Sequence, residues 1–452
     1  MASERYVILG LAQARSVWFR NLGHWATSGA LGAEFVKCLS AEEVRARLGG
    51  GRPFSALVAD AALPAVDRDL LGAARAAGCA TFVVDDGRTP RDWASLGAAA
   101  VLEPGFDRDV LLANLSAHAR PIARGDARSG ELGTPVAGVP AEWRCPVAAL
   151  TGPGGTGVST AAIALAQALG DDVRNAGLVC LADLRLHAEQ AMLHDARDVL
   201  PSIQELVEAH RAGQPSLDEV RAQAYAVEER NYHLLLGLRQ ARFWPALRRR
   251  AFEAAFDSLQ RAYRVVVCDT DADLEGEDDG GSIDVEERHV MARTAMARAD
   301  VVFAVGLPSM KGVHALVRVV ADLLAFGVRP ARIVPVFNCG PRSPRARSAL
   351  AATLADLTAP AVARAAPDSV DGLAAPVFLA ERKVEGDLHD GARVPAVLGA
   401  PLAGAFSAVL DRASTARRPA VAAPGGPERV RPGSLGRWAG TGPDVEPEAA
   451  SG

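Results

Sequence analysis

Val147-Ala-Ala-Leu-Thr151 runs without a break into Gly152-Pro-Gly-Gly-Thr-Gly-Val-Ser-Thr160, and then into Ala161-Ala-Ile-Ala-Leu-Ala-Gln-Ala-Leu169. A short apolar run, a glycine loop and an alanine-rich helical run, in that order, are the local context a phosphate-binding loop requires. Glycines let backbone N–H groups converge on an anion, and the helix that follows adds the partial positive charge of its N-terminus. Gly152 and Gly157 stand at the P-loop spacing. Ser159 falls where a hydroxyl would hold Mg²⁺, and Gly154, Gly155, Thr156 and Thr160 complete the candidate cradle. The lysine expected beside Ser159 is replaced by Val158. Taken alone, the loop reads more readily as a turn that packs a helix onto a strand, and its neighbours change that reading.

On the C-terminal side the α/β alternation continues to about residue 412. Strands are expected at Val147–Leu150, Gly177–Leu181, His233–Leu238, Arg264–Cys268, Val301–Val305 and Ile333–Phe337, with a weaker one at Pro376–Leu379. On the N-terminal side a separate α/β block is expected over residues 1–120. Its strands are Tyr6–Leu11, Phe35–Leu39, Ala56–Ala59, Thr81–Val84 and Ala99–Leu102, with helices around Trp18–Trp25, Glu42–Leu48, Leu70–Ala77 and Asp109–Ala117. Strands that alternate with helices predict a parallel sheet in each block. Residues 121–142, rich in Gly, Ala, Arg and Pro, read as a linker. Residues 413–452, crowded with Pro, Gly and Ala, read as a disordered tail.

Four elements together resemble the MinD/ParA superfamily of deviant Walker A ATPases. The glycine loop is one; in the family a lysine lies near its start, where Pro153 stands here. Leu178-Val-Cys-Leu-Ala-Asp183-Leu-Arg-Leu-His187 is similar to the family strand and switch carrying two aspartates: Asp183 matches the first, beside the Mg²⁺ water shell, and Arg185 replaces the second, which positions water. Val265-Val-Val-Cys-Asp269-Thr270 resembles the strand whose aspartate supports Mg²⁺, and Val334-Pro-Val-Phe-Asn338 the strand whose asparagine reads adenine. The resemblance implies a MinD-like P-loop domain of three α/β/α layers at residues 143–412, ATP and Mg²⁺ as ligands, and a metal set of Ser159, Asp183 and Asp269.

Within the superfamily the chain looks most like the CpaE/TadZ-like proteins of Flp/Tad pilus assembly, including a septum-site-determining, CpaE-like branch. These join a receiver-like, flavodoxin-like N-terminal domain to a MinD-like domain. That resemblance implies a positioning or scaffold role in a pilus or secretion machine, with its motor ATPase and inner-membrane platform proteins as partners, and a homodimer. A septum-site regulator and a ParA-like DNA-partition ATPase are the alternatives.

Turnover is expected to be very slow or absent. Phosphoryl transfer depends on cationic charge worth about 10³–10⁵ in rate, and Pro153, Val158 and Arg185 stand where the family has Lys, Lys and Asp. Arg185 itself has two readings: an exposed switch-loop residue, or a side chain that folds back to restore the missing charge. Asp60, ending the strand Ala56–Ala59, sits where a receiver carries its phosphoacceptor. No acidic pair follows Tyr6–Leu11, and Glu103 rather than lysine precedes Pro104, so a pseudo-receiver is expected, serving protein contact or dimerisation. The acids from Asp271 to Glu287 read as a solvated, mobile loop or as a docking segment for a basic partner, and Arg248-Arg249-Arg250 as a solvated helix face or a basic patch.

Composition sets the outer bounds. Hydrophobic residues make up 49% and charged residues 23%, the balance of a globular chain with ample core. A formal charge of −5 argues against coating nucleic acid by net charge. Six cysteines without a CxxC pair fit free thiols in a reducing compartment. The N-terminus does not read as a signal peptide, and no run reaches the length needed to span a bilayer, nor does Arg417–Gly452 show the apolar stripe of a membrane-surface helix. A cytoplasmic protein is therefore expected, recruited to the inner membrane face or the pole only through partners.

Overall fold

The computed structural model describes residues 5–13, 16–88, 91–122, 143–175, 177–196, 198–277, 282–367 and 372–417. Nearly all of the expected linker and most of the expected tail lie outside those residues.

The N-terminal sheet has five strands: β1 (Tyr6–Leu11), β2 (Ala33–Cys38), β3 (Ala56–Asp60), β4 (Ala80–Val84) and β5 (Ala100–Leu102). They are parallel and ordered β2-β1-β3-β4-β5, a doubly wound arrangement. Alternate residues supply two cores. Val7, Leu9, Leu57 and Val83 face one side, while Ile8, Val58 and Phe82 face the other. Asp60 behaves as a strand-end residue, with its carboxylate accepting the Ala62 N–H at 3.0 Å.

The second sheet has eight strands: β6 (Val147–Thr151), β7 (Val179–Leu184), β8 (Tyr225–Val227), β9 (Tyr232–Leu235), β10 (Val265–Thr270), β11 (Val301–Gly306), β12 (Ile333–Phe337) and β13 (Val377–Phe378). Their order is β13-β12-β11-β6-β10-β7-β9-β8. Every pairing is parallel except β8 with β9, at the edge. The central strands β6, β7, β10, β11 and β12 are buried throughout, as an α/β sheet covered on both faces requires. The protein is thus an α/β chain with mostly parallel sheets. Strand β8 was not expected; three residues carry too little alternation to register as a strand.

Three expectations need correction. The helix Ala396–Arg417 runs into the segment read as tail, and among the described residues it alone is long and apolar enough to cross a membrane by length and composition. Its Leu398, Leu402 and Phe406 are buried, and a Cβ on Gly399 would stand 2.3 Å from the Ala164 carbonyl, so this face packs against the helix Val158–Gly170. The acidic segment is not simply a solvated loop: it contains the helix Ile283–Arg288, and Glu286 pairs with Arg249 and Arg293. Residues 278–281 lie outside the described residues. Nor is Arg248-Arg249-Arg250 a free helix face, since a Cβ on Gly72 of the first sheet unit would meet the Arg250 side chain at 2.4 Å. Cys38, Cys79, Cys145, Cys180 and Cys268 are buried free thiols, and Cys339 is exposed.

Candidate functional site

The parallel register builds the site before any side chain is considered. Asp269 lies beside Leu150 on β6 and beside Asp183 on β7, so the two acids meet at neighbouring strand ends, next to the loop that leaves β6. This carboxyl edge is where open α/β sheets bind ligands.

Backbone geometry makes the loop a cradle. A Cβ on Gly152 would lie 2.3 Å from the Val305 carbonyl oxygen, a contact no side chain can relieve. Gly155 and Gly157 take φ of +76° and +84°, values that favour glycine. Gly157 opens the helix Val158–Gly170, which has no side-chain cap and no acid in its first turn. Uncapped first-turn N–H groups and the helix dipole favour an anion there. The loop is held from within and from behind. Thr156 donates its hydroxyl to the Pro153 carbonyl at 2.7 Å, and Asn338 donates its side-chain amide to the Thr156 carbonyl at 2.9 Å. The Asn338 side-chain oxygen accepts the Cys339 N–H at 3.0 Å. The residue expected to read adenine thus has its amide engaged with the phosphate loop. Val158 and Ser159 are buried, while Gly154 and Gly155 are exposed.

Asp183 and Asp269 are fully buried. Asp183 accepts the backbone N–H of Arg185 at 3.3 Å and of Gln190 at 2.9 Å. Asp269 accepts the Gln190 side-chain amide at 2.7 Å, and the nearby Ser159 hydroxyl and the Arg185 guanidinium help to hold its charge. Burial pushes both carboxyls above their usual range; for Asp183 the negative charge of Asp269 adds to it.

Arg185 does fold back. Its side chain is only 16% exposed, with the guanidinium 3.7 Å from Asp269 Oδ1 and 3.5 Å from Asp271. Asp271 is also built in, accepting the Leu186 N–H at 2.6 Å, while its own carbonyl accepts the Thr151 hydroxyl at 2.9 Å. Asp269 Oδ1, Arg185 Nε and Gln190 Oε1 are buried without a hydrogen-bonding partner. The donor set around Ser159 therefore fits a cation, and the cation facing it is Arg185; a divalent ion fits at Asp269 only with that guanidinium withdrawn. Among the described residues no group of three His, Cys, Asp or Glu side chains could hold a metal.

Two participants escaped sequence reasoning. Asp271 had a visible signal, two residues beyond Asp269. Gln190 had none: it opens the one-turn helix Gln190–Leu193, and only folding brings it to both acids and to within 3.5 Å of the Ser159 carbonyl.

No protein-family model matches the sequence, and no curated protein matches it. Solved structures are similar in fold. The cell-division ATPase MinD of Pyrococcus furiosus shares 18% identity over 58% of this chain and 99% of its own, with a TM-score of 0.41. A ParA-family ATPase of Chlorobium tepidum shares 13% over 59% and 98%, at 0.42. The septum-site-determining protein MinD of Pyrococcus horikoshii, complexed with Mg-ADP, shares 18% over 61% and 96%, at 0.39.

Proposed function

We propose that the chain holds the phosphate end of an adenine nucleotide at residues 152–160 and uses the bound form as a scaffold state, with little or no turnover. The observation that carries this reading is the cradle. Gly152, Gly155 and Gly157 clear the backbone at the mouth of the uncapped helix Val158–Gly170, beside two buried carboxylates at adjacent strand ends. Gly154, Thr156, Ser159 and Thr160 complete the phosphate contacts in this proposal. Mg²⁺, where it joins, would be held by Ser159 and Asp269 with Asp183 behind them, and it would neutralise phosphate charge.

Charge-assisted hydrogen bonds contribute about 1.5–3 kcal/mol each, so each lysine absent from the loop weakens binding by roughly tenfold to a hundredfold. Backbone amides and the hydroxyl of Ser159 remain, which favours retention without catalysis. Arg185 is drawn to Asp269 and Asp271 and cannot position water as a carboxylate would. The finer reading, a scaffold in an Flp/Tad-type pilus or secretion machine with a motor ATPase and membrane platform as partners, rests on the sequence resemblance alone. So do the homodimer and the septum-site alternative.

Titration calorimetry with ATP and ADP, run beside a phosphate-release assay, tests the proposal. Saturable binding with negligible release is the expected result; absence of binding to both nucleotides, or rapid turnover, refutes it.

A further inference from the structure

We propose that Arg185 is the site's resident cation, taking the place of a divalent metal, so that the loop accepts a nucleoside di- or triphosphate without requiring one. This rests on the nucleotide-binding reading above and specifies how that site is charged.

The seat of Arg185 is built from both sides. Its own backbone N–H is accepted by Asp183, and the next residue, Leu186, donates its backbone N–H to Asp271. The chain on either flank is thus pinned by acids of the site, and the side chain between them is directed at Asp269 and Asp271. At these distances the guanidinium balances charge without completing hydrogen bonds, and its Nε is left buried and unpartnered. Asp269 Oδ1 and Gln190 Oε1 are likewise buried and unpartnered, in residues that contact Ser159, the second residue of the loop's helix. A guanidinium carries a planar fork of donors that matches phosphate oxygens. In this proposal the guanidinium turns from Asp269 to the phosphate that Pro153 and Val158, at the family's lysine positions, cannot hold. With the guanidinium seated at Asp269, a divalent ion at that carboxylate would meet a positive charge already balancing it, and the like charges oppose one another.

The experiment compares ATP and ADP affinities of the full chain in excess Mg²⁺ and in EDTA, for the natural protein and for Arg185→Ala and Arg185→Lys, with circular dichroism melts run on each. The natural protein is expected to bind within about threefold of the same affinity in both media. Arg185→Ala is expected to lose about tenfold or more in EDTA and to recover part of that with Mg²⁺, and Arg185→Lys, which keeps the charge but not the fork, to fall between. If Arg185→Ala does not fold, Arg185→Lys and the Mg²⁺ response of the natural protein decide alone. A natural protein that loses about tenfold or more in EDTA overturns the inference and leaves nucleotide binding intact, as does Arg185→Ala binding like the natural protein without metal. No binding by the natural protein in either medium refutes the nucleotide reading itself, and this inference with it.

Discussion

Asp69 caps a helix that belongs to the other sheet: its carboxylate accepts the backbone N–H of Arg250 at 2.9 Å and of Ala251 at 3.3 Å, in the first turn of the helix Arg249–Ala262. That helix has no side-chain cap of its own. The neighbouring Arg68 does the converse, donating to the carbonyls of His210 and Gly213 at the end of the helix Ile203–Ala212. One turn beside the first sheet therefore satisfies the ends of two helices that pack around the second.

Asp69→Ala should lower unfolding free energy by about 1–2 kcal/mol, the usual cost of a lost helix cap, and Asp69→Asn by less because an amide oxygen still accepts. Urea denaturation of the full chain checks the order. Equal stability of all three proteins would show that the cap is dispensable.

Gly152→Ala should be more damaging than Gly154→Ala. The first places a methyl 2.3 Å from the Val305 carbonyl, whereas a Cβ on Gly154 meets nothing within 4 Å. Overpacking of this kind costs about 1–3 kcal/mol, read as a lower melting temperature and weaker nucleotide binding for Gly152→Ala alone.

Gln190→Ala removes the amide that reaches Asp269 but keeps the backbone N–H that reaches Asp183. A buried carboxylate stripped of a donor costs about 1–3 kcal/mol. Gln190→Glu should be worse, since it adds a third negative charge beside two. Chemical denaturation of both variants reads the difference, and a Gln190→Glu protein as stable as the parent would contradict this account of the acid pair.

Buried histidines, His194 and His210, and buried carboxyls push the pH profile in opposite directions. Burial pushes the His210 ring down from 6.5 to about 4, so unfolding lets it take a proton that the folded ring refuses. Its stabilising contribution is complete above pH 6.5 and falls as pH drops towards 4, by about 3 kcal/mol. Asp183 and Asp269 act in the other direction. Their carboxyls are raised, so the folded state holds protons the unfolded state has released, and stability declines as pH rises above the usual carboxylate range. Melting curves between pH 4 and 8 should flatten on the acid side in His210→Gln and on the neutral side in Asp183→Asn.

Much of the fold was legible in the chain because strand burial is a local signal. β1 matches its expected run Tyr6–Leu11 end to end, β12 matches Ile333–Phe337, and the glycine loop declares itself through residues that are adjacent in sequence. Asp269 directly follows the expected strand Arg264–Cys268, whereas Asp183 stood two residues beyond the expected strand and was singled out by the family resemblance. Their being neighbours was not legible locally, since it depends on β10 lying between β6 and β7, a pairing of strands far apart in the chain.

Arg185 shows the division most clearly. Sequence alone determined that an arginine replaces the expected aspartate, and left two orientations open. Tertiary structure decided between them, because the inward one is stabilised by Asp269 and Asp271, which reach it only once β7 and β10 pair. Gln190 and Asp69 belong with it: each satisfies groups supplied by distant segments, and no periodicity along a single element encodes a partner on another. Local patterning determined the elements and the chemistry they carry. Which charges face one another was settled by long-range packing, where burial makes an unpaired charge too costly to keep.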